Sequence, residues 1–186
     1  MRDVSPFNFG LIVAYVVPGF VILWGLSFHS VTIATWLAGP SQAAPTVGGL
    51  FYATIASVAC GMIANVFRWA FIDTIHHHTG VRLPRWDFSL LDQKRLGGYE
   101  LLVELHYRYH QFFANMLIAL VFTYVAYRST PSGAAAHVGA IDVGFVVVCI
   151  VLFLGSRDAL RKYYRRAGEL LQPAKGGENH GEWWRT

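Results

Sequence analysis

Four long apolar segments dominate this sequence and restrict what the chain can fold into. They run from Phe9 to Phe28, Gly49 to Ile72, Phe112 to Tyr127 and Val138 to Ser156. A helix of about 20 residues crosses the hydrocarbon core of a bilayer, so each segment is long enough, or nearly so, to span it. Only 14% of the residues are charged, against about 25% in a soluble domain.

The sequence therefore predicts an all-α integral membrane protein with four transmembrane helices, a short cytoplasmic loop and a basic C-terminal helix. We expect residues 1–172 to form a single transmembrane domain and residues 173–186 a polar, flexible tail. Pro18 and Gly19 lie at the centre of the first segment. Because proline removes a backbone hydrogen bond, a kink is expected there.

The basic residues lie almost entirely on one side of these segments. Of the 15 Lys and Arg residues, fourteen precede the first segment, lie near the end of the second or in its link to the third, or follow the fourth, and only Arg128 links the third to the fourth. Loops rich in Lys and Arg stay on the cytoplasmic side. The sequence thus predicts that both termini face the cytoplasm, in a bacterial-type cytoplasmic membrane.

A stripe of polar side chains leads into the third segment at helical spacing. Its members are Glu100, Glu104, Arg108, Gln111 and Asn115. Glu four residues before Arg stabilises a solvated helix end, but amides in an apolar segment usually face the interior of a helix bundle. Asn65 and Arg68 lie near the same end of the second segment. Two interpretations stay open, namely interhelical hydrogen bonding and a water- or ion-lined path.

Small residues recur at every fourth position along the second segment, at Gly49, Ala53, Ser57 and Gly61. Such a seam lets two membrane helices approach closely. We expect this face to pack against the third helix or against another subunit.

Histidines border the second and third segments on the basic side. They are His76, His77, His78, His106 and His110. His106 and His110, four residues apart, can present two imidazoles to one metal ion, and the triplet can supply a third ligand. The alternative is a set of interfacial histidines without metal. No HExxH motif and no mid-depth histidine pair suited to haem is present, so any cofactor stays unknown, with a divalent metal as the candidate.

The residues after the fourth segment predict a basic helix that either continues that segment or lies along the inner leaflet. Its basic residues are Arg157, Arg161, Lys162, Arg165 and Arg166. We expect them to contact lipid headgroups or a soluble partner. In the preceding loop, Gly97 and Gly98 are expected to end a short interfacial helix that begins at Asp87.

The leading functional hypothesis is a small, self-associating membrane protein that acts as a channel, a pore or a membrane-perturbing effector. Four helices cannot enclose a wide conduit, so this hypothesis requires a homo-oligomer in the bilayer. The alternatives are a membrane-anchored, metal-dependent enzyme and a membrane subunit that docks a soluble cytoplasmic partner. The chain contains no nucleotide-binding loop or nucleophile elbow, and no nucleic-acid partner is expected.

Overall fold

The computed structural model describes residues 6–38, 47–82, 84, 86, 88–91, 93–135 and 137–171, and their regular secondary structure is entirely helical. Helix α1 is Pro6–Ser27 and α2 is Val31–Ala38. Helix α3 comprises Val47–Phe67, a π-helical stretch at Arg68–Asp73 and Thr74–His78. A 3-10 turn at Phe88–Leu90 precedes α4, which comprises Gln93–Leu102, a π-helical stretch at Val103–Tyr107 and Arg108–Arg128. The short α5 is Pro131–Ala135, and α6 is Ala140–Leu171.

Three helices, α3, α4 and α6, are long and apolar enough to cross a membrane. This confirms, for the described residues, an all-helical fold that contains helices long and apolar enough to span a membrane. The apolar part of α1, Ile12–Ser27, is shorter. A membrane span in the first segment, and with it a total of four spans, therefore stays a prediction. The predicted tail at residues 173–186 lies outside the described residues.

We call the end of the bundle where α3 and α6 finish the basic end. Helices α3, α4 and α6 are longer than a bilayer core is thick: their 31, 34 and 32 residues reach about 45 to 50 Å, whereas the hydrocarbon core measures about 30 Å. Helix α6 runs unbroken to Leu171. The basic C-terminal segment therefore continues the fourth segment, as one of the two sequence-based alternatives proposed.

The expected end of a helix at Gly97 and Gly98 is wrong, since both residues lie inside α4. A glycine inside a helix costs about 1 kcal/mol relative to alanine. Packing against α6 offsets that cost: the Tyr99 and Tyr163 hydroxyls lie 3.0 Å apart. Asp87, the expected start of the short helix, lies outside the described residues.

The small-residue seam of α3 packs against α1 of the same chain, whereas the sequence suggested the third apolar segment, which lies in α4, or another subunit. A Cβ on Gly61 would lie 2.0 Å from the Tyr15 carbonyl oxygen, and a Cβ on Gly19 would lie 1.7 Å from the Ser57 carbonyl oxygen. Ala53 and Ser57 are buried beside them, whereas Gly49 is half-buried. The two backbones thus touch, which is possible only because both helices carry glycine at these points.

Helix α4 occupies the centre of the bundle. It packs against α1 on one side and α6 on the other, while α1 also packs against α3. Buried alanines at the contacts, Ala14, Ala64, Ala114 and Ala119, keep the helices close. The outer faces of α3 and α6 are apolar and exposed, as lipid-facing surfaces are.

We expect Gly61→Leu to destabilise the fold by about 3 kcal/mol or more, because the larger side chain must push α1 away from α3. Thermal unfolding of the purified protein in detergent measures this loss. Gly144→Leu is the matched control, since a Cβ at Gly144 has no atom within 4 Å. An unchanged unfolding temperature for Gly61→Leu would contradict the close α1–α3 contact.

Candidate functional site in the helix interior

The polar stripe of α4 faces α1. Gln111 and Asn115 are buried, and both amides donate hydrogen bonds to α1. The Gln111 Nε2 donates to the Tyr15 hydroxyl at 3.2 Å, and the Asn115 Nδ2 donates to the Ala14 carbonyl oxygen at 3.0 Å. Arg108 donates to the Gln111 Oε1 at 3.0 Å, which continues the chain of bonds towards the basic end.

The bond from Asn115 has a local cause in α1. In a regular helix the Ala14 carbonyl would accept the N–H of residue 18, but Pro18 has no N–H. The Asn115 amide supplies the missing donor. About two turns further along, the Thr123 hydroxyl donates to the Val21 carbonyl oxygen at 2.7 Å. Helix α4 is therefore joined to the backbone of α1 at two levels.

Two atoms of the same stripe are buried without a hydrogen-bond partner among the described residues, namely Glu104 Oε1 and Asn115 Oδ1. The Glu104 carboxylate fits beside Gly10, where a Cβ would lie 2.7 Å from Glu104 Oε2. Glu100, the first member of the stripe, is exposed. The stripe thus passes from an exposed carboxylate to fully buried amides over four helical turns.

A second polar cluster lies on a different face of α4, between α3 and α6. The His110 Nε2 donates to Asp73 Oδ1 at 3.0 Å. Asp73 Oδ2 lies 3.2 Å from the Arg68 Nη1, so the two side chains form an ion pair. Their alignment at this nitrogen does not meet the geometry of a hydrogen bond. Arg68 also donates from Nε to Asn65 Oδ1 at 3.2 Å.

The π-helical stretch of α3 explains why the sequence did not reveal this ion pair. Residues five apart, such as Arg68 and Asp73, lie on different faces of an α-helix, whereas a π-helix closes its turns at that spacing. Nothing in the sequence marks the wider turn. The sequence therefore does not predict Asp73 as a site residue.

The serine at position 156 joins two buried histidines, and it was also missed because a single serine in an apolar segment carries no distinctive pattern. Its hydroxyl lies 2.9 Å from the His110 Nδ1 and 3.1 Å from the His76 Nε2. The three side chains are all 0% exposed. They connect α3, α4 and α6 at one point.

The order Ser156, His110, Asp73 resembles the triad of a hydrolase, but the burial of the serine argues against that chemistry. A nucleophile must reach the carbonyl carbon that it attacks. Ser156 is 0% exposed and lies within α6, more than ten residues from either end of the helix. We therefore interpret these residues as a hydrogen-bonded relay and not as a nucleophilic site.

The histidines proposed as metal ligands do not converge on one point. His77 stacks on Tyr164 with ring centroids 6.2 Å apart, His78 bonds the Thr74 carbonyl oxygen, and His106 bonds Arg166. Only His76 and His110 come together, with ring centroids 5.9 Å apart. Across the residues that the structure describes, no group of three or more His, Cys, Asp or Glu side chains could hold a metal ion.

The basic end of the bundle is covered by an aromatic layer. Val81, Leu160, Tyr163 and Ala167 form its buried core, and Trp86, Tyr107 and Tyr164 pack against them. Arg157 donates to both the hydroxyl and the carbonyl oxygen of Thr79. The other basic residues of α6 point outward: Arg161 and Arg165 are exposed, Lys162 pairs with Asp158 at 2.6 Å, and Arg166 bonds His106.

We expect Asp73→Leu to cost about 3 kcal/mol of stability, because it strands the Arg68 guanidinium away from water. The double variant Arg68→Met/Asp73→Leu should be more stable than the single variant, since no uncompensated charge remains. The free energies of unfolding in detergent of Arg68→Met, Asp73→Leu and the double variant give the interaction energy between the two side chains. Strictly additive costs would show that the two charges do not interact.

No protein-family model, curated protein or solved structure matches this chain. The functional conclusion therefore depends on the chemistry of the two polar clusters.

Proposed function

We propose that this chain is a self-associating membrane protein that acts as a channel, a pore or a membrane-perturbing effector, with the α1–α4 interface as its polar route. One observation carries the proposal: Glu104 Oε1 and Asn115 Oδ1 are buried on the same stripe without a protein partner in the described structure. Buried polar atoms of this kind are normally satisfied by water. The route is therefore hydrated from the basic end to the depth of Asn115.

The charges along the stripe suit the entry of ions or water. Glu104 and Arg108 lie one turn apart on α4, ahead of the two buried amides. Ionisable groups inside a membrane protein typically mark ion pathways or proton relays, because placing them there is costly. These features support a conducting role over a purely structural one.

Beyond Asn115 the interface between α1 and α4 narrows to a backbone contact. A Cβ on Gly25 would lie 2.9 Å from the Thr123 Cα. The far half of the interface is thus closed within one protomer. Conduction then requires α1 to separate from α4, or a second protomer to complete the path, which is why we propose a homo-oligomer as the active form.

A second candidate is a membrane subunit that docks a soluble partner. It is favoured by the packed extension at the basic end, where α6 carries the exposed Arg161 and Arg165 above the aromatic layer. An acidic surface on a partner would complement it. With the basic end in the cytoplasm, as the charge distribution predicts, that partner would be cytoplasmic.

Release of ions or a small dye from liposomes distinguishes the two candidates. We expect Asn115→Leu to lower the release by about tenfold, because an apolar side chain at a narrow point closes a path by dewetting. Gln111→Leu should act in the same direction. Thr123→Val is the matched control, since it also removes one bond from α4 to the α1 backbone but lies beyond the hydrated part.

All variants are compared at equal oligomer content, measured by light scattering. A parent chain that forms oligomers and yet releases nothing would contradict the channel proposal and favour the docking subunit. Equal loss of release in Asn115→Leu and Thr123→Val would show that the bonds only hold the helices together.

A further inference from the structure

We propose that His110 is a buried proton-binding site and that Ser156 completes the hydrogen bonds of both its neutral and its protonated form. This inference goes beyond the proposed route, because His110 lies on another face of α4 and bonds α3 and α6 instead of α1. The ligand is a proton delivered by hydronium. No metal enters the proposal, since the five histidines do not share a ligand set.

One side of the His110 ring is fixed by a carboxylate. Its Nε2 lies 3.0 Å from Asp73 Oδ1, so Nε2 carries a hydrogen in either state of the ring. Asp73 is in turn paired with Arg68, 3.2 Å away. The Asp73 carboxylate is thus placed to supply the countercharge when His110 becomes an imidazolium.

The other ring nitrogen faces two different groups of one residue. The His110 Nδ1 lies 2.9 Å from the Ser156 hydroxyl oxygen and 3.1 Å from the Ser156 carbonyl oxygen. In the neutral ring Nδ1 accepts the hydroxyl proton. In the protonated ring the Nδ1–H donates to the Ser156 carbonyl oxygen, and the Ser156 hydroxyl is then free to donate its hydrogen to another acceptor.

His76 is positioned to accept that hydrogen bond from the Ser156 hydroxyl. Its Nε2 lies 3.1 Å from the Ser156 Oγ, and its Nδ1 is buried without a partner in the described part of the chain. Because the neutral arrangement runs from His76 Nε2–H to Ser156 Oγ–H to His110 Nδ1, the free Nδ1 of His76 is the terminal atom of the relay. An incoming proton therefore adds there.

The transfer balances as a series of single proton shifts. An N–H bond forms at His76 Nδ1 and hydronium becomes water. The His76 Nε2–H bond breaks as that proton passes to Ser156 Oγ, and the original Ser156 hydroxyl proton passes to His110 Nδ1. The product is a neutral His76, protonated on Nδ1, and a His110 imidazolium beside the Asp73 carboxylate.

The charged and titratable groups around the site come from three helices. Helix α3 contributes Asp73, Arg68, His76 and His77, helix α4 contributes Tyr107, and helix α6 contributes Arg157 and Tyr164. The centroid of the Tyr107 ring lies 6.0 Å from that of His110 and 5.9 Å from the central carbon of the Arg68 guanidinium. Asp73 is the one anion in this set and bonds His110 directly, whereas the cations Arg68 and Arg157 oppose a further positive charge.

Nitrogen-15 NMR of the full-length protein in nanodiscs, with labelled histidine and a chelator present, tests the proposal. His76→Gln and His110→Gln assign the two rings by loss of their signals. We expect the His110 signal to change from one protonated nitrogen to two as the pH falls. Removing the hydroxyl with Ser156→Ala disfavours only the neutral ring, since the backbone carbonyl remains, and should move the titration midpoint upward by about one pH unit.

Two further variants make the result decisive. Ser156→Thr keeps a hydroxyl and should restore the parent midpoint, whereas Asp73→Asn removes the countercharge and should move the midpoint downward. A purely structural serine would leave the midpoint unchanged in Ser156→Ala, and that result would overturn the proposal. A His110 ring that stays neutral from about pH 8 to about pH 4 in the parent protein would also overturn the proposal. If Ser156→Ala does not fold, the same result in Ser156→Thr would overturn it.

Discussion

Polar groups inside an apolar helix bundle must find partners within the protein, and this requirement shapes the structure around α4. The clearest case is the bond from Asn115 to the Ala14 carbonyl at 3.0 Å, which fills the position that Pro18 leaves without a donor. This bond ties the centre of α1 to α4, and the glycine contacts between α1 and α3 then hold α3 against α1. Replacing Pro18 would remove the reason for the amide on α4.

The same requirement separates two polar clusters with different partners. Gln111 and Asn115 donate hydrogen bonds to α1. Two atoms of the same stripe, Glu104 Oε1 and Asn115 Oδ1, have no hydrogen-bond partner among the described residues, and water can supply one. His110 bonds Asp73 on α3 and Ser156 on α6, where protein groups complete every bond of the ring.

The sequence predicted the helical class, the presence of helices long and apolar enough to span a membrane, and the helical spacing of the polar stripe, since each depends on periodicity or local composition. It could not predict which helix the glycine seam contacts, because a seam of small residues fits any partner helix. It also missed the pairing of Arg68 with Asp73, which depends on a π-helical stretch, and the role of Ser156, which depends on packing between helices distant in sequence. Continuation of α4 through Gly97 and Gly98 likewise reflects tertiary packing overriding helix propensity.

Water access along the α4 stripe tests the central claim most directly. In a background with Cys60→Ala and Cys149→Ala, single cysteines at Glu104, Asn115 and Thr123 would be exposed to a membrane-impermeant thiol reagent. Because a thiol reacts as the thiolate, its labelling requires water. We expect labelling at position 104, slower labelling at position 115 and none at position 123. Equal absence of labelling at positions 104 and 115, in protein that remains folded and oligomeric, would contradict a hydrated route.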